Sequence, residues 1–238
     1  MLILAKSGIF KILILIIILL VFTILENNAF ADTYKDNFSD GRAQLRWNFF
    51  PSFFLDNLIP KKDKNAPDGD GGIGVLSNSN AGGFAALSYA VTEEVSDFYL
   101  EAFIHCPVTN EEKGPFAGLA FLIDPINSRF YRFICDFNGK EPSLNVAYVG
   151  RDTRHFPVFL KIWNEKEIPG GVPKKAGWHK MALRVKNGKA KFFWNDKELS
   201  GVFDTTRVNK GFVGVYTNFV GGLGAAETKV DSFFLKVE

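Results

Sequence analysis

The residues of this chain best suited to chemistry are carboxylates, amides and aromatic rings placed at alternate positions. Glu101 and Asp136 form the one plausible carboxylate pair. Glycoside hydrolysis needs two such groups, ~5–5.5 Å apart for retention and ~6.5–9.5 Å apart for inversion. Each lies in an alternating run. Phe98, Leu100, Ala102, Ile104 and Cys106 alternate with Tyr99, Glu101, Phe103 and His105, while Tyr131, Phe133, Cys135 and Phe137 alternate with Arg132 and Asp136. Successive side chains of a strand point to opposite faces. If these strands are neighbours, Tyr99, Glu101, His105, Arg132 and Asp136 share one outward face, joined by Asn145 from the next strand. Planar polar groups beside aromatic rings suit a sugar, which offers hydroxyls to hydrogen-bond and ring faces to stack. The same six residues also read as a solvated face with cross-strand ion pairs such as Glu101–Arg132.

Other motifs carry less. Asp68-Gly69-Asp70-Gly71 has oxygen ligands at alternate positions, as calcium loops do, but lacks the third acidic ligand and the downstream Glu of an EF-hand. A flexible polar loop is the better reading. Gly69, Gly71 and Gly74 satisfy a dinucleotide-binding spacing without the strand-to-helix context that gives it meaning. His105, His155 and His179 are scattered without metal-ligand spacing, and no Gly-x-Ser-x-Gly elbow occurs. No catalytic residue and no metal ligand is assigned, and no cofactor is expected.

The elements that must position these side chains are strands. From Phe98 onward, short alternating runs are punctuated by Gly, Pro, Asn and Asp, with no sustained 3.6-residue apolar period. Asn187-Gly188 is a strong hairpin signal, because both residues tolerate positive φ; Asn195-Asp196 is a second turn. About eleven strands at this spacing predict an all-β, two-sheet antiparallel jelly-roll sandwich. Two segments break the rhythm and are expected as long loops: Phe49 to Gly74, with its apolar stretch Phe49–Leu55, and Asn164 to Gly177. Trp163, Trp178 and Trp194 are expected in core or edge packing.

The first 31 residues are expected to stand outside this fold. Lys6 and Lys11 precede the uninterrupted apolar run Ile12–Phe22, and Ala29-Phe30-Ala31 has the small-x-small pattern of a signal-peptidase site. Cleavage before Asp32 leaves one domain, 32–238, in a secreted or periplasmic (cell-envelope) protein. A membrane partner follows only if the segment stays uncleaved as an anchor. Residues 32–238 hold 26 basic and 25 acidic side chains; that balance gives no field to gather nucleic acid or anionic lipid. Export also makes a disulfide between Cys106 and Cys135 chemically accessible. If strand 116–123 lies between theirs in a meander, however, two strand spacings put them ~9.6 Å apart, beyond the ~6.8 Å Cα limit. Two buried free thiols are therefore expected.

Both ends of the domain resemble a known superfamily. Asp36-Asn37-Phe38-Ser39-Asp40-Gly41 followed by Trp47, the strand Gly72-Ile73-Gly74-Val75-Leu76, and Gly177-Trp178-His179-Lys180-Met181-Ala182-Leu183-Arg184-Val185 resemble the opening and closing motifs of concanavalin A-like (laminin-G-like) jelly-roll domains. So do Phe192–Lys197, Gly211–Val215 and Val230–Phe233. The resemblance implies the sandwich over most of 34–238, a glycan as the natural partner, and a structural calcium near the chain ends, at Asp36 or Asp231. Its motifs are structural and do not choose a function. The Glu-x-Asp-x-x-Glu strand of the superfamily's endoglucanases has no match in this chain. Three readings follow: an exported carbohydrate-binding module using the six-residue face, a glycoside-processing hydrolase of the 3-keto-disaccharide type, or an adhesion module presenting Phe49–Leu55 to a protein.

Overall fold

The computed structural model describes residues 33–42, 46–50, 56–78, 86–89, 93–110, 114–150, 157–219 and 226–238. The expected signal segment and residues 51–55 lie outside them. Every element among the described residues is a strand. The first half holds β1 (Thr33–Asp36), β2 (Asn48–Phe50), β3 (Asp56–Lys62), β4 (Gly72–Asn78), β5 (Ala86–Tyr89), β6 (Phe98–Cys106) and β7 (Val108–Thr109). Next come β8 (Pro115–Asp124), β9 (Arg129–Asn138), β10 (Ser143–Val149), β11 (Val158–Asn164), β12 (Gly177–Lys186) and β13 (Lys189–Trp194). The chain closes with β14 (Lys197–Glu198), β15 (Phe203–Asp204), β16 (Phe212–Phe219) and β17 (Ala226–Val237).

These strands form the expected two-layered sandwich. Sheet I runs β14-β13-β12-β6-β17-β4-β3, with β1 against β17 and β15 against β13. Sheet II runs β11-β10-β9-β8-β16-β5-β2, with β7 against β9. Alternation sets which side of each strand is buried. Phe98, Leu100, Ala102, Ile104 and Cys106 of β6 meet Tyr131, Phe133, Cys135 and Phe137 of β9 in one core. Trp47, Trp163 and Trp194 are buried with them, whereas Trp178 is half-buried against a small cluster of Ala66, Ile73 and Val75. The hairpin turns are as predicted: Asn187 (φ 50°) and Gly188 (φ 68°) join β12 to β13, and Asn195 and Asp196 are also left-handed.

The expected meander of β6, β8 and β9 does not form. β6 pairs with β12 and β17, and β8 with β9 and β16. After Cys106 the chain leaves sheet I and joins sheet II through β7. The two cysteines therefore stand in different layers, and the in-sheet separation expected between them does not apply. Both are buried, and no bond joins them in this structure.

The segment 49–74 is also more ordered than the long loop expected. It contains β3, an edge strand of sheet I, and an edge is where a strand tolerates a proline such as Pro60. The Asp36 motif proves to be a structural knot. The Asp36 carboxylate accepts from Phe38 N (2.9 Å), Arg46 Nε (2.9 Å) and Nη2 (2.7 Å), and the Trp47 indole N–H (2.8 Å). Phe38 (φ 60°) turns its ring onto Trp47, 5.8 Å between centroids.

Candidate functional site

The six expected site residues all point away from the core, as the alternation predicts, but they do not share a face. Tyr99, Glu101 and His105 lie on β6, on the outer side of sheet I. Arg132 and Asp136 on β9 and Asn145 on β10 lie on the outer side of sheet II. Period two tells inward from outward; it does not tell which layer a strand joins. Glu101 and Asp136 consequently stand on opposite outer faces and cannot flank one bond.

The sheet I trio is engaged in structure. The Tyr99 hydroxyl donates to Glu101 (2.6 Å), and burial followed by this carboxylate pushes the phenol pKa well up. The expected Glu101–Arg132 pair is absent because the two stand on opposite outer faces; Glu101 pairs instead with Lys180 (3.0 Å), which also meets Asp196 (2.9 Å). His105 packs edge-on to Trp178, 5.3 Å between centroids, and its pKa is lowered by burial and by Lys229.

The outer side of sheet II is different. Phe116, Ala120, Ile123, Phe130, Ile134 and Tyr216 form a second apolar cluster there. Arg132 lies within it, its Nη1 donating to the Tyr216 hydroxyl (2.7 Å) and its guanidinium 5.3 Å from the Tyr216 ring and 5.8 Å from Phe116. Its buried Nε has no partner. Gly118 lets β8 run close to β9 here, because a Cβ would collide with the Phe133 carbonyl and come within 2.7 Å of Ile134 Cα.

Beyond this cluster, toward the β9–β10 turn, opens a cleft of about 870 Å³, within the range of small-molecule sites. Its floor is Asp136, Ser143 and Asn145. Asn145 is only 2% exposed, and its Oδ1 has no hydrogen-bond partner among the described protein groups, which leaves an acceptor free at the cleft floor. Asn138 Nδ2 donates to Asp136 Oδ1 (2.9 Å) and orients it. Burial raises the Asp136 pKa, against the lowering effects of Asn138 and Arg132. One wall is β11, where Phe159 is 49% and Ile162 48% exposed. Asn164, Glu165 and Lys166, which open the 164–177 loop, continue that wall, and Lys140 and Glu141 close the turn side.

Two of the six expected residues, Asp136 and Asn145, thus line the cleft, and Arg132 sits beside it on the same face. The β11 wall escaped the sequence reading for a physical reason. Phe159 pairs with Ala147 and Ile162 with Asn145, with a register shift between. The bulge places residues three apart on one face and breaks the period-two signal. The run 158–163 between polar segments is the signal that could have revealed the strand.

Among the described residues no group of three or more His, Cys, Asp or Glu is arranged to hold a metal. The oxygens of Asp36 already accept four donors, which argues against that carboxylate as a calcium ligand. Asp231 is fully buried, accepts from the Asp68 N–H (3.2 Å) and has its pKa raised to about 6, first by burial.

No family model and no curated protein matches the chain. Solved structures do. The cellulose-induced protein Cip1 superposes with a TM-score of 0.59 at 12% identity, over 85% of this chain and 96% of that one. A family 16 glycoside hydrolase of Bacteroides ovatus, solved with a mixed-linkage glucan product, gives 0.55 at 11%, over 85% and 98%. A Bacillus subtilis protein described as having a galectin-like fold gives 0.54 at 10%, over 85% and 94%. At such identities the likeness concerns the fold alone, an antiparallel two-sheet β-sandwich.

Proposed function

We propose that this chain is an exported, non-catalytic module that binds a neutral glycan in the cleft on the outer side of sheet II. The observation that carries the reading is the pairing, in one 870 Å³ cleft, of a half-exposed Phe159 ring with the buried, unpartnered Asn145 Oδ1. The apolar face of a sugar ring stacks on Phe159, hydroxyls reach Asp136 and Asn164, and one donates to Asn145 Oδ1 once that side chain turns into the cleft. Lys140 and Lys166 are offset by Asp136, Glu141 and Glu165 along the lining, and the chain carries a net charge of only +2. That balance suits an uncharged ligand and gives a polyanion no steering field. The shared fold with a hydrolase solved with a glucan product supports a sugar as the ligand class. The face of Tyr99, Glu101 and His105 is no part of this proposal.

Affinity electrophoresis with mixed-linkage β-glucan as probe, beside an array of neutral and anionic oligosaccharides, tests it. The parent chain should bind a neutral glycan. Phe159→Ala should weaken that binding about tenfold or more, as loss of a central aromatic contact does, with melting temperature unchanged because the ring is half-exposed. Tyr99→Ala should bind like the parent. Absence of any neutral glycan ligand, or equal binding by Phe159→Ala, overturns the proposal. The hydrolytic reading is favoured by one observation, the raised pKa of Asp136; turnover of an array glycan that disappears in Asp136→Asn would establish it. The adhesion reading through Phe49–Leu55 concerns side chains outside those described.

A further inference from the structure

The two thiols, which expectation kept apart, are brought to the same corner of the sandwich. Val108 and Thr109 pair in parallel with Phe137 and Asn138. Counting two residues back along both strands from the Val108–Phe137 pair arrives at Cys106 and Cys135. At that pair the backbones are one strand spacing apart, ~4.8 Å. Further back, β6 and β9 separate toward the ~10 Å of stacked sheets. Two residues back from the close pair, the cysteines are expected between these values, and the lower part of that interval is where the 4.4–6.8 Å Cα separation of a disulfide falls. Both side chains enter the same core, and both are completely buried. Cys135 Sγ donates to the Ala117 carbonyl at 3.1 Å. The Cys106 pKa is pushed well above its ordinary value, first by burial and then by Cys135, in keeping with two thiols set in one core.

We propose that Cys106 and Cys135 form an inter-sheet disulfide site, oxidised by a donor of the glutathione-disulfide or thiol–disulfide oxidoreductase class. One cysteine thiolate attacks the donor disulfide and releases one donor thiol. The second thiolate attacks the resulting mixed disulfide and releases the other. The chain loses two hydrogens, and the donor is reduced to two thiols. Complete burial and raised pKa make the folded thiols inert, so the bond forms while the chain folds. Once made, it ties β6 to β9 across the core and closes a loop of about 30 residues, which restricts the unfolded chain.

The full-length chain, reduced and unfolded in denaturant, is refolded in a buffer of reduced and oxidised glutathione, unfolded again without reductant and alkylated. The expected product is a monomer about 2 Da lighter than the reduced chain, with no alkylated cysteine. Its peptide map should link the segments that hold Cys106 and Cys135, and its melting temperature should stand roughly 5–10 °C above that of the reduced protein. Cys106→Ser should leave Cys135 alkylated and abolish the difference between oxidised and reduced melting temperatures. Alkylation of both cysteines in the refolded parent overturns the proposal, as does a disulfide-linked dimer. The mass measurement on the unaltered chain stands even where the variant fails to fold.

Discussion

Asp231 shows what a single buried carboxylate does to this fold. It lies fully buried under the loop that carries Asp68 and Asp70, and its pKa of about 6 exceeds the ordinary 3.8 because burial, with those two carboxylates, opposes its charge. The folded state therefore keeps the proton that the unfolded chain releases. As pH rises from about 4 to 6 this group lowers stability, and above 6 the penalty is constant, on the order of 1–3 kcal/mol. Asp231→Asn removes the charge while leaving an acceptor for the Asp68 N–H. Its melting temperature should exceed the parent's at pH 7 and approach it at pH 4, measured by differential scanning calorimetry. Equal values at both pH values would mean that the carboxylate is solvated or paired in the folded protein. The sequence offered Asp231 as a calcium candidate through resemblance; its burial, which sets its behaviour, has no signature in the sequence around it.

At the scale of elements, the strands were legible and their partners were not. The predicted alternation of 98–106 matches β6 residue for residue, and Asn187-Gly188 marks a true hairpin. Both signals are local. Assignment of β6 and β9 to different layers depends on the crossing at 107–109, which leaves no periodic trace. β11 was hidden by its bulge and β3 by Pro60. The opening motif was recognised by resemblance, and the structure supplies its cause: Asp36 ends β1 and ties it to Arg46 and Trp47. Asp36→Ala leaves the buried indole N–H and the guanidinium without their acceptor, which should cost about 2–4 kcal/mol in urea unfolding. A loss below about 0.5 kcal/mol would show that this corner is not held by the carboxylate.

For the whole molecule, the central matter is that a sandwich has two outer faces and this one divides the expected site between them. Sheet I spends its Tyr99, Glu101 and Lys180 on one another. Sheet II carries the cleft, the unpartnered Asn145 oxygen and the exposed Phe159 ring. Hydrogen–deuterium exchange of the full chain, with and without the array oligosaccharide it binds most tightly, tests this division most directly. The account predicts slower exchange in 136–145 and 158–166, with 99–105 and 178–184 unchanged. Protection confined to 99–105 and 178–184 would place the ligand on sheet I and contradict it.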